Sequence, residues 1–215
     1  MERFEREAEL ASSIDSPYVV EIYEHGFTNN YGFLAMEFFS RGDLDHRVNA
    51  GIPAGLVREY AIHLARGLKA VHDAGIVHRD LKPANVMFRG DDQLAIADFG
   101  ISRRIDADSS LTRTGSVLGT PLYMSPEQLR AAELDKRTDI YSAGIMLFEM
   151  LTGKRPFEAD SIGALAMKHL RTPPPDLPES MAGLAPIFKK MVAKDPADRY
   201  SDMGEVADDL EKVDY

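Results

Sequence analysis

Residues 78–85 read His-Arg-Asp-Leu-Lys-Pro-Ala-Asn, and thirteen positions beyond Asn85 stands Asp98, followed by Phe99 and Gly100. The chemistry these residue types support is phosphoryl transfer, which asks a protein for positioning and charge neutralisation rather than covalent work. A carboxylate must lie beside the incoming hydroxyl, and Asp80 is the candidate base. A hard divalent cation needs oxygen ligands, which Asn85 offers as a neutral amide and Asp98 as a carboxylate. Lys82 is a cation able to steady the group in transit. Taken singly, each reads as an ordinary solvated side chain. Only the eight-residue string with Asp-Phe-Gly downstream carries chemistry.

The elements that must hold these residues can be read from periodicity. Residues 2–13 are helix formers ended by Ser16-Pro17. Val19–Tyr23 and Gly32–Phe38 read as strands with Gly26 and Asn29-Asn30 between them, an antiparallel hairpin. Over 56–74, Val57, Tyr60, Ala61, Leu64, Leu68 and Val71 share one face at helical spacing. Val86-Met87-Phe88 and Leu94-Ala95-Ile96 are too short for helices and flank the two motifs. Residues 101–125 are loop-like, 138–151 form an apolar helix, and further helices are expected near 162–170, 184–193 and 203–212. The order predicts an α+β fold, a small incomplete sheet followed by a larger helical body.

Composition narrows the function. The 215 residues are 44% hydrophobic, enough to bury a core. A net charge of −10 without a basic run does not suggest a nucleic-acid surface. With no cysteine, disulfides, thiolate nucleophiles and zinc–thiolate sites are excluded. The acidic start, Met-Glu-Arg-Phe-Glu-Arg-Glu, is not a secretory signal. The apolar run Ile140–Leu151 contains Glu149 and is too short to span a bilayer. A cytoplasmic address is expected, with a membrane-anchored longer parent left open.

With these motifs the chain resembles the eukaryotic-type serine/threonine protein kinases, above all their bacterial branch, from Glu7 to about Leu210. The resemblance implies a kinase-like fold with residues 1–39 as the remnant of the small lobe and 40–215 as the large lobe. It implies ATP and Mg²⁺, with Mn²⁺ as an alternative, and protein substrates carrying Ser or Thr. By the same resemblance Glu7 is the helix acid that pairs with the strand-three lysine, and Met36 is the gatekeeper. Glu37 to Phe39 form the hinge that meets adenine, Asp43 is the ribose acid, and Met87 lies under the adenine ring. Gly119–Glu127 matches the substrate-docking loop, in which Thr120 bonds Asp80 and Lys82. Asp139 holds the catalytic-loop backbone, and Arg199 pairs with Glu127. Lys82-Pro83 is the serine/threonine form of the loop. Arg79 before the catalytic acid implies control by autophosphorylation, with Thr112 and Thr114 as candidate sites.

One half of a kinase site has no match. None of the sixteen glycines stand two apart, and no lysine precedes Lys69, so neither the Gly-rich loop nor the strand-three lysine is present. Gly153-Lys154 is not a phosphate loop, since Arg155 follows and Phe148 stands at the first glycine position. The expectation is a truncated catalytic domain, weakly active or inactive on its own. Two alternatives stay open: a non-catalytic, pseudokinase-like scaffold, and a half-kinase that takes the missing strands from another chain.

Overall fold

Residues 78–85 lead into one three-residue strand and Asp98 lies two residues past its partner, which packs on the long helix over 54–73. The computed structural model describes residues 8–28, 31–98 and 121–213. Residues 8–12 are helical and lead by a connector into β1 (Ile22–Thr28) and β2 (Tyr31–Met36), an antiparallel hairpin pairing Ile22 with Met36 and Thr28 with Tyr31. Next come α1 (Leu44–Ala50), α2 (Ala54–Asp73), a 3-10 turn at Pro83–Asn85, and β3 (Val86–Phe88) paired antiparallel to β4 (Leu94–Ile96). Beyond them lie α3 (Pro126–Leu129), α4 (Arg137–Thr152), α5 (Ile162–Arg171), α6 (Ala185–Met191) and α7 (Met203–Lys212). The architecture is the α+β arrangement expected, with two small two-stranded sheets beside a helical body.

The first strand differs from its expected position. Val19 and Val20 are not in the hairpin; Val19 bridges Ile96 in parallel, Val20 N–H donates to the Ile96 carbonyl at 2.9 Å, and both side chains are buried. Their β-branched side chains go to the helical core, which buries more apolar surface than a two-stranded ribbon can. The hairpin strand begins at Ile22 instead and takes in Gly26, expected in the turn, whose missing Cβ makes room for the Phe33 ring. The long helices fall within two residues of their expected bounds.

Helix α4 is the central post. Every residue from Thr138 to Leu151 is buried, as a helix apolar all round must be. It ends at Gly153, whose φ of 68° is the left-handed conformation that stops helices. Helix α2 presents Val57, Tyr60, Leu64, Leu68 and Val71 to the same core.

The approach of α2 to the connector depends on Gly67. A Cβ there would stand 2.6 Å from the Tyr18 carbonyl oxygen and 2.9 Å from Ile96 Cδ1. That carbonyl accepts the Ile96 N–H at 2.9 Å, so the glycine lets the connector pair with β4. Gly67→Ala is expected to destabilise the fold by about 1–3 kcal/mol despite its better helix propensity. Gly55→Ala, which meets open space on the same helix, is expected to be near neutral. Urea midpoints of the two variants check this.

Candidate active site

The loop from α2 to β3 is held from beneath by one acid. Asp139, fully buried in the first turn of α4, accepts the His78 and Arg79 backbone N–H groups at 2.8 and 2.9 Å. His72 Nε2 lies 2.8 Å from the same carboxylate. Arg79 has φ of 65°, a left-handed conformation that a non-glycine residue keeps only when its surroundings fix it. The paired amides supply that constraint, and they set where Asp80 follows.

Asp80 is half-buried, with Lys82 Nζ 3.1 Å from its Oδ2. Asn85 Nδ2 donates to the Asp80 carbonyl at 2.9 Å, so the donor half of the amide serves the loop and the oxygen is what the side chain offers beyond it. The β3–β4 register sets Asn85 opposite Ala97, whose N–H donates to the Asn85 carbonyl at 2.8 Å. Asp98 follows, exposed, with φ of 54°. Asn85 and Asp98 therefore leave the same end of one short ladder. An amide oxygen and a carboxylate suit a hard cation that completes its shell with water and phosphate oxygens. Among the described residues no group of three or more His, Cys, Asp or Glu could hold a metal.

The docking side is fixed by a buried pair. Arg199 and Glu127 form a two-pronged contact at 2.7 and 2.8 Å, and Thr138 Oγ1 adds a bond to Glu127 at 2.9 Å. Burial would raise the Glu127 carboxyl, but the Arg199 guanidinium outweighs it and holds the group below the ordinary carboxylate range. Ser125 caps α3 in a capping box with Gln128, whose Nε2 donates to the Arg79 carbonyl at 2.7 Å. Tyr123 donates to Glu149 at 2.6 Å, and its carbonyl accepts Ser142 Oγ at 2.8 Å. Burial comes first in raising the Glu149 carboxyl above its ordinary value.

On the hinge side, Met36 ends β2 and is 40% exposed, so it is not ordinary core. Phe39 is half-buried against the core, as is Met87. Asp43 bridges Met87 and caps α1, accepting the His46 N–H at 2.8 Å, a use of its carboxylate that the resemblance does not give. Glu7, Thr112, Thr114 and Thr120 lie outside the described residues, as do Phe99 and Gly100.

A family model described as protein kinase domain matches residues 1–212. The chain belongs to the protein kinase family. Its kinase relatives include a probable serine/threonine-protein kinase of Clostridium acetobutylicum, 37% identical over 98% of this chain and 33% of the relative. The serine/threonine-protein kinase PknL of Mycobacterium tuberculosis is 36% identical over 98% of this chain and 54% of its own length. A probable serine/threonine-protein kinase of Streptomyces coelicolor is 38% identical over 97% and 33%. The chain thus spans about a third to a half of the curated relatives it matches. The family implies use of ATP, a divalent metal and protein substrates. No helix among the described residues is long and apolar enough to cross a membrane.

Several groups of this kinase chain escaped sequence reasoning. Gln128 carried a signal, the Ser-x-x-Gln spacing of a capping box. His72, Arg47 and Arg89 carried none, since their partners lie far along the chain: Arg47 grips Asp92 and Tyr60, with its guanidinium 3.5 Å from the Phe88 ring centre. Removing one member of the buried pair tests the docking side. Arg199→Met is expected to cost about 3–5 kcal/mol, because Glu127 is left buried without its counter-charge. The folded Glu127 value is depressed, so its contribution is present above the unfolded value near 4.5 and is lost as pH falls through the folded one. The parent should therefore lose stability across that acid window, and Arg199→Met should lose less. Chemical denaturation at stepped pH measures both.

Proposed function

We propose that this chain carries the phosphoryl-transfer and substrate-docking parts of a bacterial protein serine/threonine kinase. The observation that supports the reading is that Lys82 and Asn85 both bond Asp80, whose loop hangs on Asp139, while Asp98 follows Ala97, the strand partner of Asn85. Residues 1–39 form its small-lobe part and 40–215 its large lobe. Asp80 accepts the proton of a substrate Ser or Thr hydroxyl and orients it. Lys82, beside that carboxylate, balances the negative charge of the group in transit. Asn85 and Asp98 hold Mg²⁺, which when bound neutralises phosphate charge. Glu37 to Phe39 meet adenine with backbone groups, Asp43 faces the ribose, and Met36 and Met87 line the apolar part.

The 215 residues contain no Gly-x-Gly-x-x-Gly and no lysine before Lys69, the groups that anchor nucleotide phosphates in kinases. Positioning of this kind contributes several kcal/mol of barrier lowering, roughly, so turnover by these residues alone is expected to be weak. In the full-length protein, Asp80→Asn is expected to lower kcat by about 10²–10⁴ while leaving nucleotide binding near the parent's. Transfer of labelled phosphate and fluorescent-nucleotide titration check the two halves. Turnover within tenfold of the parent would sink the assignment.

Arg79 adds a regulatory reading. Its guanidinium Nε is buried with no partner among the described residues, one residue before the proposed base. A phosphate on Thr112 or Thr114 is the group that would meet it, ordering the loop by charge-assisted bonds. The double variant Thr112→Ala/Thr114→Ala is expected to lose most activation on preincubation with ATP. Activation equal to the parent's, followed by substrate phosphorylation over time, would exclude the switch.

A further inference from the structure

In the stretch read above as the hinge, Phe39 packs against the core but its neighbours on the chain are open. Phe38 is 87% exposed and Met36 40%. Its backbone is also tied by a polar assembly centred on Arg89, one residue past β3. Arg89 Nε donates to Glu37 Oε2 at 2.6 Å, and Nη2 donates to Glu37 Oε1 at 2.6 Å and to the Val19 carbonyl at 3.1 Å. Its Nη1 donates to the Pro17 carbonyl and to Gln93 Oε1, the latter at 3.2 Å. Glu37 also grips the connector directly, through its N–H to the Glu21 carbonyl at 3.0 Å and its carboxylate to the Glu21 N–H at 2.9 Å.

One planar guanidinium therefore joins four segments: the connector, the hinge, the end of β3 and the β3–β4 turn. Partial burial alone would raise the Glu37 carboxyl, but Arg89 and the Glu21 amide outweigh it and keep the group ionised below the ordinary range. A lysine could supply the charge at Arg89 but not the fork that meets both carboxylate oxygens and two carbonyls.

We propose that Arg89 is a positioning residue for nucleotide binding: a latch that holds Glu37 to Phe39 at the angle from which their backbone meets adenine. The inference rests on the hinge reading of that stretch and adds to it a side chain outside the nucleotide site. Ordering the hinge before the nucleotide arrives removes that ordering cost from binding. Losing the latch should then weaken ATP binding without touching the transfer step, which is held separately through Asp139.

The test is steady-state kinetics on the full-length protein with ATP varied at saturating protein substrate. Arg89→Gln is expected to raise KM for ATP about 5–10-fold, the scale of a few side chains re-ordered on binding, with kcat within about twofold. Arg89→Lys should recover only a minor part of that loss. Glu37→Gln should raise KM to a similar extent, and Arg89→Gln/Glu37→Gln should be no worse than the poorer single variant, since the two act as one unit. An unchanged KM in Arg89→Gln, a kcat that falls as much as KM rises, or additive losses in the double variant would each overturn the latch. If the parent saturates with ATP and Arg89→Gln matches it, the latch alone fails. If the parent binds no adenosine nucleotide in a fluorescent-nucleotide titration, the hinge reading fails with it.

Discussion

The carboxylate of Asp139 is the constraint on which the active-site half depends. A fully buried acid is costly to desolvate unless its oxygens are met by donors. Here two backbone amides and an imidazole nitrogen meet them. The exchange works in both directions, because the same bonds hold Arg79 in a left-handed conformation that the loop would otherwise leave. The catalytic loop's shape is thus set from inside the large helical core, not by the loop's own sequence. Asp80, Lys82 and Asn85 inherit their placement from a residue some sixty positions downstream.

Helix α4 extends this logic through its periodicity. Thr138, Ser142 and Glu149 recur at four and seven residues, so they share a stripe beside the one that presents Asp139. That stripe faces the segment 121–128: Thr138 bonds Glu127, Ser142 bonds the Tyr123 carbonyl, and Glu149 accepts from the Tyr123 hydroxyl. Otherwise the helix is apolar and buried all round, so its position admits little adjustment. A single rigid element therefore sets residues 78–85 and 121–128 relative to each other. Gln128 closes the arrangement by bonding the Arg79 carbonyl across the two.

What could be read in the sequence follows from how local each interaction is. The catalytic string and Asp98 were legible because the chemistry needs those types at fixed short spacing. Helix α2 was legible because one-sided burial imposes a period, and α4 because full burial imposes an unbroken apolar run. Val19 and Val20 were placed in the wrong sheet because β-branched residues suit either partner, and alternation cannot say which strand they will meet. The Arg89–Glu37 and Arg47–Asp92 pairs join residues 52 and 45 apart, and nothing near either residue marks it as paired. The cap made by Asp43 was local, but the ribose reading of the same acid concealed it.

The two guanidinium–carboxylate ties differ in a way that bears on mechanics. Both carboxyls are held below the ordinary range, so neither tie titrates near neutrality and the scaffold keeps its charges where phosphoryl transfer would run. Glu127–Arg199 is sealed in the core, where attraction is strong and a broken pair leaves an uncompensated charge. Glu37–Arg89 borders an open groove of about 590 Å³ that Ser13, Asp15 and Glu21 also line. Its side chains are 21% and 12% exposed, so salt screens it more than the sealed pair. The segment 121–128 is therefore bolted to the core, whereas the strip between the hairpin and the helical body is tied by a pair at the edge of a groove.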